Sequence, residues 1–135
     1  MTVAGFGFRR GATLASLRSA LALAQGQAAA QQPLAMLASA EDKADAPCLQ
    51  ALAEALELPV CAIEAAQMQA TATLTDSPKV RALRGSGSTA EAAALAAALL
   101  HGGPGARLLH PRAVSADRLA TCALAAWPTS PTSRP

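Results

Sequence analysis

The chain has 135 residues, a length typical of one domain, and a formal net charge of +2, which is too small to suggest nucleic-acid binding. Hydrophobic residues make up 52% of the chain but aromatic residues only 2%, so alanine must fill much of the core and helices must approach closely. The longest apolar run, residues 92–100, is far shorter than a membrane span, and no secretory signal pattern follows Met1, so we expect a soluble, cytoplasmic protein.

Short apolar segments alternate with helical patterns along the chain. Residues 2–8 predict a first strand that runs into a glycine-rich loop, after which Thr13 caps a helix with leucines on one face. Pro47 suits the first turn of a second helix. The remaining elements predicted before residue 85 are strands at 34–38 and 59–63 and a short helix at 77–84.

The last third of the chain contains one long helical pattern between strand patterns. A capping box from Ser88 to Glu91 opens an alanine-rich helix, and the glycines within residues 102–105 end it. Two final strands are predicted at 106–109 and 120–125.

The alternation of strands and helices favours an α/β fold. We expect a three-layer sandwich with about five strands in a largely parallel or mixed sheet and with helices on both faces. Residues 1–126 are predicted to form a single domain. Residues 127–135, which are rich in proline, threonine and serine, are predicted to be a disordered tail.

Two glycine-bearing stretches, residues 5–11 and 85–91, each precede a helical pattern. Backbone N–H groups in such loops can approach an anion closely, and the dipole at a helix N terminus favours negative charge. Arg9 and Arg10 in the first stretch carry side chains that fork onto carboxylates or phosphates. A dinucleotide fingerprint does not fit, because the third glycine is one place late and no acidic residue follows within about twenty residues. We therefore expect an anionic ligand between the two loops.

Charge is distributed unevenly along the first half of the chain. No carboxylate precedes Glu41, whereas six acids and one base, Lys43, lie between Glu41 and Glu64. Ligands of parallel sheets bind outside the carboxyl ends of the strands, and Lys43 follows the second predicted strand as the glycine loop follows the first. We interpret Lys43 as facing the arginine loop, where it could contact a ligand carboxylate. A local surface ion pair is the alternative.

Metal and nucleotide motifs are absent from the sequence. His101 and His110 lack a third ligand at metal-site spacing, and the three cysteines contain no CxxC pair. A P-loop is excluded because no GxxxxGK[ST] motif occurs. We expect neither a metal nor a cofactor, and we interpret the cysteines as buried, reduced packing residues.

Four further groups of residues, together with residues 5–11, occur in an order and spacing typical of a known family. They are Asp42-Lys43-Ala44-Asp45, Ser77, residues 85–94, and Leu108-Leu109-His110-Pro111-Arg112 followed by Ala120-Thr121-Cys122-Ala123. The pattern resembles the family of CobE and the C-terminal domain of CbiG, proteins of cobalamin (vitamin B12) biosynthesis. Ala46 stands where the family often has glutamate, and Arg112 where lysine is usual. Because CbiG carries further N-terminal domains, we expect the chain to resemble the stand-alone CobE of the aerobic route.

The resemblance implies a role in tetrapyrrole metabolism, with a precorrin or hydrogenobyrinic-acid-like corrinoid as the bound partner. For CbiG it implies hydrolytic opening of a precorrin lactone. A hydrolase with Asp42, Asp45 or His110 as general base is therefore the alternative to a binding protein, and a structural subunit that contacts other enzymes of the pathway is a third hypothesis. The expected ligand-binding residues are Gly5, Gly7, Phe8, Arg9, Arg10, Lys43, Asp45, Gly87, Ser88, Thr89 and Arg112.

Overall fold

In a computed structural model, a mixed sheet lies between two layers of helices. The structure describes residues 1–27, 34–68, 89–109 and 112–127, so the helix predicted at 77–84 lies outside the described residues. The elements are β1 (Thr2–Phe8), α1 (Leu14–Gln27), β2 (Leu34–Ala40), α2 (Pro47–Leu56), β3 (Val60–Ile63), α3 (Thr89–Gly102), a 3-10 helix (Gly103–Gly105), β4 (Arg107–Leu108), β5 (Ala113–Val114) and β6 (Ala120–Ala126).

The sheet has the strand order β3-β2-β1-β6-β4, and β5 also pairs with β6. Strands β1, β2 and β3 are parallel, whereas β6 runs antiparallel to β1 along its whole length, from Thr2 opposite Ala126 to Phe8 opposite Ala120. Strands β4 and β5 pair antiparallel with successive parts of β6. The predicted mixed sheet is confirmed. It has six strands instead of about five because the two-residue β5 was too short to be predicted.

Helices cover both faces of the sheet, which confirms the predicted three-layer sandwich. On one face, leucines of α1 and α2 pack against a core that includes Phe6 of β1. On the other face, the alanines of α3 pack against Val3 of β1 and against Ala123 and Ala125 of β6. Alternate residues of β1 thus serve opposite layers, as the two-residue period of a strand requires. None of the described helices is both long and apolar enough to cross a membrane.

Gly5 allows α3 to lie very close to the sheet. A Cβ atom at Gly5 would collide with the carbonyl oxygen of Ala90 and the backbone nitrogen of Ala94, and would lie 2.8 Å from the Ala94 Cβ. At the other end of the helix, a Cβ at Gly102 would overlap the side chain of Trp127. Helix α3 therefore runs antiparallel to β1, and its N terminus lies towards the carboxyl end of that strand.

The helix starts largely follow the predicted signals. The N–H of Ser16 donates to Thr13 Oγ1 at 3.3 Å, and the N–H of Thr13 donates to Ser16 Oγ at 3.1 Å, so Thr13 caps α1 reciprocally with Ser16. Helix α2 begins at Pro47, and its N-cap, Ala46, makes no side-chain bond. Helix α3 ends at Gly102, where the glycine-rich stretch begins.

Trp127 belongs to the folded domain, although the composition predicts a tail that starts at this residue. Its side chain is only 9% exposed, and its N–H donates to the carbonyl oxygen of Met1 at 3.0 Å. An aromatic side chain buries a large apolar surface, which outweighs the polar composition that follows it. The predicted tail is thereby reduced to residues 128–135, which lie outside the described residues.

Candidate functional site

The carboxyl ends of β1 and β2 lie at one edge of the sheet, together with three helix starts. Helices α1 and α2 follow these strands directly, and α3 begins at the same edge because it runs antiparallel to β1. The positive ends of three helix dipoles therefore meet there. We call this region the carboxyl edge; it comprises residues 8–13, 40–47, 89–91 and 115–119.

The arginine loop, residues 9–13, has a fixed backbone and exposed side chains. The N–H of Arg9 donates to the carbonyl oxygen of Leu119 at 2.9 Å, and the N–H of Ala12 donates to the carbonyl oxygen of Arg9 at 3.1 Å. Gly11 has a φ of 96°, a left-handed conformation that favours glycine. Arg9 and Arg10 are both exposed, so their guanidinium groups are available to a ligand.

Lys43 contacts the end of β1 from the turn that follows β2. Its Nζ donates a hydrogen bond to the carbonyl oxygen of Phe8 at 3.1 Å and lies 5.2 Å from the centroid of the Phe8 ring, within cation–π range. The Lys43 side chain is half-buried. Its contacts with Phe8 place it beside the arginine loop, as predicted. Contact between its ammonium and a ligand carboxylate stays a prediction.

Gly5 and Gly7 lie inside β1, opposite Ala123 and Thr121 of β6, and not in the loop where ligand contact was expected. The close approach of α3 explains the glycine at position 5 without a ligand. Gly7 accepts a hydrogen bond on its carbonyl oxygen from Thr121 Oγ1 at 3.2 Å. Gly7 therefore lies nearer the carboxyl edge than Gly5 does.

Three carboxylates lie within two residues of Lys43 in the chain. Glu41, Asp42 and Asp45 are all exposed. The Oε2 atom of Glu41 accepts a backbone N–H bond at 3.3 Å, whereas the described residues offer the Asp45 carboxylate no hydrogen-bond partner. These acids lower the positive potential around Lys43. The arginine loop, by contrast, carries two exposed positive charges and contains no acidic residue.

Arg112 is attached to the first turn of α3. Its backbone N–H donates to Glu91 Oε2 at 3.0 Å, and Glu91 is only 5% exposed. Helix α3 begins at Thr89, so Thr89 and Arg112 lie on the α3 side of the sheet, whereas Phe8 packs against the α1–α2 layer. The structure thus divides the predicted contacts between the two faces. Gly87, Ser88 and His110 lie outside the described residues.

A carboxylate network at the same edge was not predicted. Asp117 accepts hydrogen bonds from Ser16 Oγ and Ser115 Oγ, both at 2.6 Å, and from the N–H of Leu119 at 3.0 Å. These bonds, above all the one from Ser115, hold the pKa of the Asp117 carboxyl below its ordinary value. The turn they fix also carries the exposed Arg118. Ser115 and Asp117 are typical turn residues, but the partner Ser16 is 101 residues away and leaves no local signal.

Two other features of the described residues lie away from the carboxyl edge. Cys61 Sγ and His101 Nε2 are 3.9 Å apart, and burial raises the pKa of the Cys61 thiol. A shallow groove of about 390 Å³ lies between the end of α2 and the start of β3. Among the described residues, no group of three or more His, Cys, Asp or Glu side chains is placed to hold a metal ion.

Known proteins share both the sequence pattern and the fold. Residues 2–125 match the family described as Cobalamin synthesis G C-terminus. The crystal structure of CobE, a protein from the cobalamin (vitamin B12) biosynthetic pathway, is 36% identical over 93% of this chain and 89% of that chain, with a TM-score of 0.75. Cobalamin biosynthesis protein chiG from Agrobacterium tumefaciens is 36% identical over 94% of this chain and 98% of that chain, with a TM-score of 0.70.

No match was found among curated protein sequences. The resemblance inferred from residues 5–11 and the groups that follow them is confirmed by the family match and by both solved structures. The chain therefore belongs to the cobalamin synthesis G C-terminal family, a family of cobalamin biosynthesis.

Proposed function

We propose that the chain binds a precorrin or a hydrogenobyrinic-acid-like tetrapyrrole at the carboxyl edge. The observation that carries the proposal is the convergence of the exposed Arg9 and Arg10 with three helix N termini at one edge of the sheet. The family and the solved relatives, which are named for the cobalamin pathway, supply the class of ligand. The carboxyl edge supplies the positive charge that a ligand with carboxylates needs for binding.

The rim of a precorrin carries acetate and propionate carboxylates. A guanidinium group can hold a carboxylate through two parallel N–H bonds, and each charge-assisted bond contributes about 1.5–3 kcal/mol. Arg9 and Arg10 are exposed on a loop whose backbone is already hydrogen-bonded, so little backbone conformational freedom is lost on binding. Arg112, on the α3 side, is a further candidate for a rim carboxylate.

The face of the macrocycle is apolar and needs a different kind of contact. The Phe8 ring is half-buried beside the arginine loop and leaves part of its surface accessible. Aromatic rings pack well against flat conjugated systems in offset or edge-to-face geometry. Phe8 is therefore the candidate contact for the ring system.

Binding is favoured over lactone hydrolysis by the state of Asp42 and Asp45, the two expected general bases that the structure describes. A general base must be held within hydrogen-bond reach of the water that it activates. Asp42 and Asp45 are exposed, and the described residues offer neither carboxylate a hydrogen-bond partner that would orient it. We therefore infer that the domain holds its ligand without turnover.

Titration of hydrogenobyrinic acid with the purified chain tests the proposal directly. We expect a shift of its visible absorption that saturates at one ligand per chain. Unchanged absorption, together with separate elution of protein and pigment in gel filtration, would contradict binding.

A second arm separates the binding protein from the hydrolase. Incubation with a lactone-bearing precorrin should give a stable complex and no released two-carbon product. If product is released, and Asp45→Asn or His110→Gln slows the release by about 10²–10⁴-fold, hydrolysis replaces binding as the function.

A further inference from the structure

We propose that Lys43 is a positioning residue, which fixes the arginine loop in its binding conformation and does not itself hold the ligand. The inference rests on the proposed function and refines the role of one predicted contact. Its basis is the pair of interactions that the Lys43 ammonium makes with Phe8, the last residue of β1 before the loop.

The ammonium of Lys43 is already committed to the protein. One N–H bond goes to the carbonyl oxygen of Phe8 at 3.1 Å, and the charge lies 5.2 Å from the centroid of the Phe8 ring. Both interactions act on the residue that immediately precedes Arg9. Loss of the ammonium would remove its contacts with both the carbonyl oxygen and the ring of Phe8. The direction in which the loop leaves the sheet would then no longer be fixed from this side.

The loop is held from its other side by the turn after β5. The N–H of Arg9 donates to the carbonyl oxygen of Leu119 at 2.9 Å. Lys43 and Leu119 therefore fix consecutive residues, Phe8 and Arg9, from opposite sides. These two contacts on neighbouring residues restrict the conformation of the loop backbone, while the arginine side chains stay exposed.

The surroundings of Lys43 disfavour direct contact with an anionic ligand. Glu41, Asp42 and Asp45 are exposed close to it in the chain, and they would repel a carboxylate that approached the ammonium. Arg9 and Arg10 have no acidic neighbour in the chain before Glu41, and the carboxylate on the turn beside them, Asp117, is engaged by three hydrogen bonds. We therefore assign the ligand contact to Arg9 and Arg10, and the geometry of the loop to Lys43.

Limited trypsin digestion tests the positioning role without any ligand. Cleavage after Arg9 or Arg10 requires the loop to open, so its rate, followed by mass spectrometry of the N-terminal fragment, reports loop order. We expect Lys43→Met to accelerate this cleavage about fivefold, the change that loss of one hydrogen bond of ordinary strength produces. Arg18→Met, which removes one exposed positive charge from α1, is the matched control and should leave the rate unchanged. Equal rates in Lys43→Met and wild type would overturn the proposal.

A double-mutant cycle, in which the affinity for hydrogenobyrinic acid is measured, tests the same positioning role in ligand binding. Lys43→Met should weaken binding about fivefold in the wild-type background, but less than about twofold in an Arg9→Ala/Arg10→Ala background, because a positioning residue acts through the arginines. Equal losses in both backgrounds would show direct contact and overturn the proposal. If Lys43→Met lowers the melting temperature strongly, Lys43→Gln, which is one atom shorter, replaces it in both tests. If the wild type binds no pigment, the proposed function fails, and the trypsin test alone decides the role of Lys43.

Discussion

Gly5 of β1 lies directly against Ala94 of α3, with no room for a Cβ atom between strand and helix. The contact joins the central strand of the sheet to the helix whose N terminus lies at the carboxyl edge. Few large side chains are available on that face, so stability there depends on the closeness of small residues. The glycine that resembles a ligand-binding residue in the sequence is thus a packing residue of the sheet.

Gly5→Ala should destabilise the domain, because the added methyl group would displace α3 from the sheet. Overpacking of this kind costs about 1–3 kcal/mol, which corresponds to a fall of several degrees in melting temperature. Gly26→Ala is the matched control, since Gly26 is in α1 with nothing within 4 Å of its Cβ position. Thermal unfolding followed by circular dichroism should show a lower Tm for the first variant and an unchanged or slightly higher Tm for the second. A wild-type Tm in Gly5→Ala would mean that α3 packs less closely than described.

Asp117 should make the stability of the domain depend on pH in the acidic range. Hydrogen bonds from Ser115 and Ser16 lower the pKa of its carboxyl in the folded chain from the ordinary value of 3.8. A lowered pKa contributes stability above the ordinary carboxyl pKa, and that contribution is lost as the pH falls through the folded value. Asp117→Asn should therefore lower Tm at pH 7 and have a smaller effect at the acidic end of a pH series.

The control for that series is Asp45→Asn, since Asp45 has no hydrogen-bond partner among the described residues. It should follow the wild-type pH profile throughout. An Asp117→Asn profile parallel to wild type at every pH would rule out the stabilising role of the network.

Truncation should locate the end of the folded domain between Trp127 and Pro128. Removal of residues 128–135, whose composition predicts a tail that packs against nothing, should leave Tm essentially unchanged. Removal of residues 127–135 should lower Tm, because Trp127 is buried and its N–H donates to Met1. Differential scanning calorimetry of the two truncated chains provides the comparison. A fall of many degrees in the shorter deletion would show that the tail packs on the domain.

Local signals in the sequence were sufficient to predict the layers of the fold. Thr13 and Pro47 mark helix starts through short-range chemistry, and the structure places α1 and α2 where these residues predict them. Strand β5 was missed because two residues, Ala113 and Val114, give no periodic pattern and pair only once β6 is in place. Trp127 was misplaced because its burial depends on Gly102, which is distant in the chain.

The candidate site was predicted where it depended on strand order and missed where it depended on long-range contacts. Lys43 follows the second parallel strand, so its approach to the arginine loop could be expected from topology. The role of Gly5 could not be predicted from the sequence, because the same glycine pattern is compatible with a ligand-binding loop and with a closely packed helix. The bond from Ser16 to Asp117 links residues at opposite ends of the chain, and hence only the folded structure reveals it.

The affinity of arginine variants for hydrogenobyrinic acid tests the central claim most directly. Arg107 is the matched control, because it is also exposed but lies at the opposite edge, where β4 pairs with Ala126. Arg9→Ala and Arg10→Ala should each weaken binding about tenfold or more, as loss of a charge-assisted bond requires, and the effect should be larger at low salt. Arg107→Ala should change the Kd by less than about twofold, since its charge is far from the site. Equal affinity of all three variants and the wild type would contradict binding at the carboxyl edge.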